Sequence, residues 1–327
     1  MVQQSRIKTI GVLTSGGDAP GMNPCIRAVV RSALAQNVNV LGVEDGYEGL
    51  IRGNFHSMGA RDVGGILQRG GTILRTARSE EFRTPRGQRD AIRQMNNAGM
   101  DALVVIGGDG SLNGAMRLVE QGVPVVGVPG SIDNDIYGTD MCIGVDTALN
   151  TIVDAIDKIR DTASSHSRAF IVETMGRMSG YLAVQAGIVT GAEMVLIPEV
   201  PVNVEEVAKN VDDAYRRGKT HCIIVVAEGA DPGTTEIAKE IDAMDLGFTT
   251  RVTILGHIQR GGKPSAFDRL IASRFGHKAV EFLMQGQTGV MVGLNGRDME
   301  PVPISLVTSK VKTLSPEYVE MARILAR

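Results

Sequence analysis

Two acidic, glycine-rich segments each follow directly on a short apolar run. Ala102–Ile106 precedes Gly107–Ser111, and Val123–Val128 precedes Pro129–Asp135. Both runs are rich in Val and Ile and lead into glycine-containing loops, which indicates buried strands of a parallel sheet. Open α/β sheets bind their ligands at the carboxyl ends of such strands. The sequence therefore predicts an α/β protein that holds a metal and phosphate there, as a kinase does.

The length and charge of the chain narrow its architecture and its partners. At 327 residues it exceeds the usual size of one domain, and strand patterns alternate with helical ones, so we predict two similar layered α/β units. The formal net charge is −3, and Lys and Arg are spread along the chain. This distribution gives no indication of nucleic-acid or acidic-membrane partners. Bound anions would need local clusters of arginine.

The cysteines and the N-terminal residues indicate the compartment. Cys25, Cys142 and Cys222 are widely spaced and lie in or beside apolar stretches, which predicts buried thiols in a reducing environment. The first residues lack the apolar core of a signal peptide, and no run reaches membrane-spanning length. We therefore expect a cytoplasmic protein without a membrane partner.

Apolar periodicity predicts the elements that carry these loops. Asn23 is predicted to cap the first helix, and the apolar positions from Val145 to Ile159 indicate an amphipathic helix that ends near Arg160. The predicted strands are Thr9–Leu13, Val38–Val43, Ala102–Ile106, Val123–Val128, Ala169–Val172, Cys222–Ala227, Val252–Leu255 and Val290–Leu294. The predicted helices are 24–34, 90–98, 145–160 and 272–283.

Two glycine-rich loops suit phosphate binding. Thr14–Gly21 joins a predicted strand to a predicted helix, so its backbone amides and the helix dipole favour an anion, although a tight connection would use the same glycines. It lacks the Gly-Lys-Ser/Thr ending of a P-loop. In Gly107–Ser111, the glycines allow close approach of a nucleotide, and Asp109 is a hard ligand suited to Mg²⁺. The alternative role for Asp109 is that of a helix N-cap.

Ser131–Asp135 supplies candidates for proton transfer. Asp133 and Asp135 are separated by one residue, so in an extended loop they would project to the same side. An ionised carboxylate can accept a hydroxyl proton as a phosphoryl group is transferred. The alternative is a turn in which Asp and Asn side chains bind the local backbone.

Arginines lie in loops beside Gly, Ser or His, a context that suits bidentate phosphate contacts. Any one of them could be a solvated surface side chain. Together with a metal-binding loop and a base-bearing loop, they indicate a phosphate site. They are Arg75, Arg78, Arg83, Arg168, Arg177, Arg251 and Arg260.

In order and spacing, these motifs resemble the family of bacterial-type ATP-dependent 6-phosphofructokinases over nearly the whole chain. The resemblance is carried by Gly11–Asn23, Gly107–Ser111, Ser131–Asp135, Met175-Gly176-Arg177 and Leu255–Gly262. It implies the phosphofructokinase-like fold, with two similar lobes that are each a three-layer α/β sandwich around a mostly parallel sheet. It also implies Mg²⁺-assisted phosphoryl transfer from ATP to the 1-hydroxyl of fructose 6-phosphate.

The resemblance assigns roles to individual residues. Asp133 matches the general base and Asp109 the magnesium-site residue, while Arg78 and Arg177 would offset charge on the moving phosphoryl group. The candidate catalytic set is Asp133, Arg177, Arg78, Asp135 and Ser131. The positions that match ATP contacts are Gly17, Arg78, Ser79, Gly108, Asp109, Gly110 and Ser111.

The matches to sugar-phosphate contacts imply an oligomer. Arg168 and Arg251 match arginines that reach the 6-phosphate from a neighbouring subunit, so the implied assembly is a homotetramer with shared active sites. The full set is Ser131, Asp133, Arg168, Met175, Gly176, Arg177, Glu228, Arg251, His257 and Arg260.

Two glycines indicate whether ATP or pyrophosphate donates the phosphoryl group. Pyrophosphate-dependent relatives carry an acidic residue where this chain has Gly110 and a lysine where it has Gly130. A carboxylate at position 110 would crowd and repel the α-phosphate of a nucleotide, so both positions favour ATP. The alternative enzyme is a pyrophosphate-dependent phosphofructokinase. A non-catalytic sugar-phosphate-sensing subunit is a further alternative, although it would not need Asp109, Asp133 and Arg177 together.

Family members bind ADP or phosphoenolpyruvate at a second, regulatory site. Arg27 and Arg31 lie at i and i+4, where like charges repel unless an anion lies between them. Ala60 and Gly64-Gly65 depart from the family, so we expect an altered ligand preference. The residues that match effector positions are Arg27, Arg31, Arg160, Gly191, Glu193, Arg217 and Lys219.

The resemblance also suggests discontinuous lobes. The expected ATP and magnesium lobe comprises residues 1–144 plus about 259–309. The expected fructose 6-phosphate lobe comprises about 145–258 plus 310–327.

Overall fold

A computed structural model describes residues 7–163, 168–219, 221–244 and 249–326 of the chain. Its strands are β1 (Thr9–Ser15), β2 (Asn39–Val43), β3 (Phe55–Ser57), β4 (Ala102–Gly107), β5 (Val125–Pro129), β6 (Arg168–Thr174), β7 (Met194–Leu196), β8 (His221–Ala227), β9 (Thr249–Ile254), β10 (Val290–Asn295) and β11 (Asp298–Pro303). Its helices are α1 (Met22–Ala35), α2 (Gly46–Arg52), α3 (Pro85–Asn97), α4 (Asp109–Val119), α5 (Val145–Ala163), α6 (Tyr181–Thr190), α7 (Val204–Arg216), α8 (Thr234–Ala243), α9 (Ala266–Met284), α10 (Ile304–Ser309) and α11 (Pro316–Leu325).

The chain divides into two compact units, and both are discontinuous in sequence. The first unit comprises Met1–Ser131, Asp135–Asp146 and Arg260–Lys312. The second unit comprises Ile132–Asn134, Thr147–Gln259 and Thr313–Arg327.

The first unit is built on a mostly parallel sheet in the order β11-β10-β5-β4-β1-β2-β3. The two edge strands β3 and β11 are antiparallel to their neighbours, whereas the central strands are parallel. All six residues of β4 and all five of β5 are buried, as expected for strands covered on both faces. The register pairs Ser15 with Gly107 and Gly107 with Pro129, so β1, β4 and β5 end side by side.

The second unit contains a parallel sheet in the order β7-β8-β6-β9. Its core lies between this sheet and its helices and includes Ile171, Val211, Ile224 and Ile237. Thr174 is paired with Ala227, and Glu173 with Ile254. The loops that follow β6, β8 and β9 therefore leave the sheet at one edge.

The predicted α/β class with mostly parallel sheets is confirmed. The predicted strands and helices are present, and most of them extend one to several residues beyond the predicted limits. Cys25, Cys142 and Cys222 are free and buried, and burial raises the pKa of the Cys222 thiol to about 12. None of the described helices is both long enough and apolar enough to cross a membrane.

Two predicted helix caps are wrong. Helix α1 begins at Met22 with Gly21 at its N-cap position, so Asn23 lies inside the first turn and uses its side chain elsewhere. Helix α4 has Gly108 at its N-cap position, and Asp109 is its first helical residue. The N-cap alternative for Asp109 is therefore excluded.

Candidate active site

In the first unit, the glycine-rich loops emerge together at the carboxyl ends of β1, β4 and β5. Gly16 and Gly21 have φ of 85° and 117°, left-handed values that favour glycine. The N-cap residue of α1 makes no side-chain hydrogen bond, and its first turn carries no acidic residue. The positive end of the α1 dipole is thus left for an anion to neutralise.

Ser111 points its hydroxyl towards these loops. The side chain is 3% exposed, and Oγ has no hydrogen-bond partner among the described residues. A Cβ atom built on Gly16 would lie 3.2 Å from this oxygen, and one on Gly107 only 2.5 Å. A buried hydroxyl without a partner is costly unless a ligand or water binds it. The first unit therefore provides a hydroxyl beside two glycines, which suits a phosphate oxygen.

The structure provides a carboxylate that fits a magnesium ion carried by a nucleotide. Asp109 is exposed in the first turn of α4, where the helix dipole favours a negative charge. Both of its carboxylate oxygens lie 3.2 Å from Asn113 Nδ2. Within the described part of the chain, no three His, Cys, Asp or Glu side chains form a metal cluster. One carboxylate fits Mg²⁺, which commonly binds to one or two carboxylates, substrate phosphates and water.

Gly110 stands next to Asp109 with free space around it. Apart from its chain neighbours and the backbone of its own helix, a Cβ atom added there would meet no atom of the described residues within 4 Å. A Cβ atom on Gly130 would lie 3.4 Å from the Met22 methyl group, which is a tighter position. Position 110 therefore has room for a ligand group.

Arg260 lies against the first glycine loop. Its Nη1 donates to the Asp18 carbonyl oxygen at 3.2 Å, and a Cβ atom on Gly17 would lie 2.3 Å from the same nitrogen. Glycine at position 17 therefore makes room for this guanidinium. The structure brings these two predicted site residues together within the first unit.

The arginine loop that follows Gly70-Gly71 is only partly free to bind a ligand. Arg75 donates to Glu44 and Asp45 at 2.9 and 3.0 Å, so its charge is already paired. Arg78 is exposed and makes no ion pair with any residue that the structure describes. Ser79 Oγ accepts a hydrogen bond from the Phe82 amide at 3.2 Å. Arg78 is accordingly the better placed of the two arginines for a phosphate.

The segment after β5 departs from the predicted extended loop. Asn134 has φ of 50°, in the left-handed region, so the loop is not extended at the residue between Asp133 and Asp135. Ser131 Oγ donates to Asp135 Oδ1 at 3.3 Å within the first unit. Asp133 belongs to the second unit and has a different partner.

In the second unit, Asp133 is paired with Arg177. Asp133 is 3% exposed, and its Oδ2 lies 3.6 Å from Arg177 Nε. The Arg177 side chain is 67% exposed, so most of the guanidinium can still reach a ligand. An ionised carboxylate can act as a base, and the guanidinium beside it offsets its charge.

The Met175–Arg177 loop is held by two side chains of the second unit. Glu228 Oε1 accepts from the amides of Gly176 and Arg177 at 3.2 and 2.7 Å. Gln259 Oε1 accepts from the Met175 amide at 3.2 Å. Glu228, predicted to contact the sugar phosphate, thus also fixes the backbone next to Arg177.

The remaining predicted phosphate contacts are less constrained. Arg251 is exposed on β9, and its Nη1 donates to the carbonyl oxygen of Thr250. His257 is exposed in the short helix that follows β9. The backbone of Arg168 begins β6, whereas its side chain and residues 164–167 lie outside what the structure describes.

The predicted effector residues are distributed over both units. Arg27 and Arg31 lie on α1 in the first unit. In the second unit, Arg160 donates to the Thr190 carbonyl oxygen, next to Gly191. Lys219 Nζ lies 3.0 Å from Glu193 Oε1, and Arg217 Nε donates to Asp213 O at 3.2 Å. A cavity of about 390 Å³ in this unit is lined in part by Glu193 and Arg217.

The sequence does not indicate what two buried side-chain amides contact in the structure. The sequence predicts Asn23 as a helix cap at the end of the Gly11–Asn23 motif, and it predicts Gln259 only as part of the Leu255–Gly262 motif. The one available signal for Gln259 was a neutral polar side chain between Ile258 and Arg260 in a glycine-rich loop.

The fold and the loops together define a class of protein, an α/β phosphotransferase with acidic and glycine-rich loops at the ends of parallel strands. The sequence model of the family described as Phosphofructokinase matches residues 9–283. The chain belongs to the phosphofructokinase family.

Several relatives are similar over their whole length. An ATP-dependent 6-phosphofructokinase of Thermotoga neapolitana is 53% identical over 321 residues, 98% of this chain and 100% of the relative. ATP-dependent 6-phosphofructokinase 1 of Thermus thermophilus is 51% identical over 321 residues, with the same coverage. The resemblance to the bacterial-type ATP-dependent enzymes is thereby confirmed.

A solved structure also supports the fold. Phosphofructokinase of Pichia pastoris matches with a TM-score of 0.88 and 41% identity over 94% of this chain. This chain spans only 38% of the Pichia chain, whereas it spans the full length of the two bacterial relatives.

Proposed function

We propose that this protein transfers the γ-phosphoryl group of ATP to the 1-hydroxyl of fructose 6-phosphate, giving fructose 1,6-bisphosphate and ADP. The observation that carries the proposal is the buried Asp133 carboxylate 3.6 Å from Arg177. This pair combines a base with a cation that is free to meet a phosphoryl group. Full-length relatives at 51–53% identity are named for this activity, which supports the choice of substrates.

In the proposed reaction, the 1-hydroxyl oxygen of the sugar attacks the γ-phosphorus, and the bond to the ADP oxygen breaks. Asp133 accepts the hydroxyl proton as the new bond forms. Arg177 and Arg78 offset the charge on the moving phosphoryl group, because phosphoryl transfer depends on alignment and charge neutralisation. Ser131 and Asp135 complete the loop that follows β5.

The first unit is proposed to bind the nucleotide. The ATP contacts would be Gly17, Arg78, Ser79, Gly108, Asp109, Gly110 and Ser111. Asp109 would hold Mg²⁺, which when bound neutralises charge on the phosphates. The open space at Gly110 supports ATP over pyrophosphate as the donor, because a nucleotide needs room beyond its β-phosphate.

The second unit is proposed to bind most of the sugar phosphate. Met175, Gly176, Arg177 and Glu228 belong to it, as do Asp133, Arg168, Arg251 and His257. Arg260 belongs to the first unit. We propose that Arg168 and Arg251 act on the neighbouring subunit of a homotetramer, and the exposed position of Arg251 is compatible with this.

The effector site is a further part of the proposal. A nucleotide or phosphoenolpyruvate would bind between two subunits. One subunit would contribute Arg27 and Arg31, and the other would contribute Gly191, Glu193, Arg217 and Lys219, with Arg160 beside them.

The cysteines bear on the cellular compartment. Free, buried cysteines agree with a reducing compartment, and we propose the cytoplasm.

A coupled assay of the purified protein with fructose 6-phosphate and Mg²⁺ tests the proposal, with ATP and pyrophosphate compared as donors. We expect activity with ATP alone. Activity with pyrophosphate alone would show that the donor is misassigned. Inactivity with both donors would favour a non-catalytic sugar-phosphate-sensing subunit.

A further inference from the structure

A buried amide links two loops that the proposed reaction uses. Gln259 is fully buried, at 0% exposure, at the end of the short helix Gly256–Arg260. Its Oε1 accepts from the Met175 amide at 3.2 Å, and its Nε2 donates to the Gly256 carbonyl oxygen at 3.0 Å. One partner is a donor and the other an acceptor, and the Gln side-chain amide supplies both an acceptor and a donor without carrying a charge.

The loop that Gln259 holds has an unusual backbone. Gly176 has φ of 142°, and Arg177 has φ of 52°, a left-handed value that is costly for a residue with a side chain. Such a conformation persists only when its surroundings fix it. The Arg177 carbonyl oxygen also lies close to Gly229, where an added Cβ atom would approach it to 2.1 Å.

Three successive amides of this loop are bound by two side chains. Gln259 takes the amide of Met175, and Glu228 takes those of Gly176 and Arg177. Glu228 is exposed to solvent, so water can replace part of what it contributes. Gln259 is buried, so its loss would leave the buried Met175 amide without this partner.

We infer that Gln259 is a positioning residue for Arg177: it fixes the Met175–Arg177 loop so that the Arg177 guanidinium stays beside Asp133. This inference rests on the proposed function for its kinetic consequences. Its geometry depends only on the second unit, to which Gln259, Met175, Gly256, Arg177 and Asp133 all belong.

The test is Gln259→Met, which keeps side-chain length and removes both hydrogen bonds. We expect kcat/KM for fructose 6-phosphate to fall by about 100-fold, the effect of a misplacement of about 1 Å at a reacting group. The KM for ATP is expected to stay within about twofold of wild type, because the proposed nucleotide contacts lie in the first unit. Gln185→Met is the matched control, since it makes the same change on α6, where Gln185 Nε2 has no partner among the described residues. This control is expected to retain wild-type kinetics.

Gln259→Glu tests the positioning role through the pH dependence of kcat/KM, which would not change if Gln259 only stabilised the fold. A protonated Glu can donate to the Gly256 carbonyl and accept from the Met175 amide, whereas an ionised Glu repels that carbonyl. We expect the ratio of Gln259→Glu to wild-type kcat/KM to rise as the pH is lowered from 8 to 6. Wild-type kinetics in Gln259→Met, or a ratio that does not change with pH, would overturn the inference.

Limited trypsin digestion separates this inference from the proposed function. The Arg177–Met178 bond lies in the loop, and both side chains are largely exposed. We expect faster cleavage of this bond, read by mass spectrometry, in Gln259→Met than in wild type or Gln185→Met. If the wild-type enzyme is inactive on fructose 6-phosphate, the proposed function fails and this digestion alone decides the inference. An unchanged cleavage rate would then overturn it.

Discussion

The chemistry of the candidate site depends on how neighbouring side chains differ in their exposure to solvent. Asp133 is almost fully buried, yet the guanidinium beside it is mostly in solvent. The carboxylate therefore has a fixed position, while the arginine can turn towards a ligand. Ser111 shows the same principle, because its buried hydroxyl is aimed at glycine loops and lacks a partner among the described residues.

Replacing the base should affect turnover more than binding. We expect Asp133→Ser to lower kcat by about 10²- to 10⁴-fold, the usual contribution of a general base, with a much smaller change in KM for fructose 6-phosphate. Steady-state kinetics with ATP provide the measurement. Asp157→Ser removes an exposed carboxylate from α5 in the same unit and should behave as wild type. Near-normal turnover in Asp133→Ser would refute the role of Asp133.

The charge at position 110 should decide the use of ATP. We expect Gly110→Asp to raise KM for ATP at least about tenfold through repulsion of the nucleotide phosphates, equivalent to about 1.4 kcal/mol. Gly110→Asn has nearly the same size without the charge and serves as the control. Because a Cβ there meets no described atom beyond its chain neighbours and its own helix backbone within 4 Å, both variants should unfold at the wild-type temperature. Equal kinetics for the two variants would show that size, and not charge, matters.

At the level of elements, loops are held by side chains from helices. Asn23 in the first turn of α1 donates to the carbonyl oxygens of Arg69 and Gly70 at 3.1 and 3.2 Å and accepts from the Ile73 amide at 2.8 Å. The Asn23 side chain is buried, at 1% exposure, whereas Arg69 and Gly70 are exposed. The glycine loop after β1 and the arginine loop are thereby tied to one helix.

Removing this link should weaken both the fold and catalysis. We expect Asn23→Ala to lower the free energy of unfolding by about 2–4 kcal/mol, since three backbone groups lose their hydrogen bonds to a buried side chain. Denaturant unfolding measures this change. Asn96→Ala, at an exposed position on α3 in the same unit, is the control. Because the loop leads to Arg78, KM for ATP should also rise in Asn23→Ala; a stability loss without any kinetic change would limit Asn23 to a structural role.

At the level of the whole molecule, the proposed tetramer makes a prediction about mixed assemblies. Arg251 is exposed in one chain and is proposed to serve the neighbouring site, whereas Asp133 serves its own. Arg251→Ala and Asp133→Ser should each have low activity. Subunits mixed at random should regain about a quarter of wild-type activity, because one site in four then combines an intact Asp133 with an intact neighbouring Arg251.

Denaturing, mixing and refolding the two variants, followed by an assay, measures this recovery. Each variant carried separately through the same cycle is the control. No recovery from a mixture that refolds to the native oligomer would place Arg251 and Asp133 in the same subunit's site.

Local sequence determined the α/β class, the order of the strands along the chain and the family. Apolar runs and glycine-rich motifs are set by neighbouring residues, so they can be read without the fold. The tertiary structure decided which distant residues form hydrogen bonds with each other. Met175 and Gln259 lie 84 positions apart in the sequence, and Asn23 and Ile73 lie 50 apart. A neutral amide has no periodicity to reveal its role, and the left-handed backbone of Asn134 has no apolar signature. Such contacts depend on how distant segments pack, which the fold alone specifies.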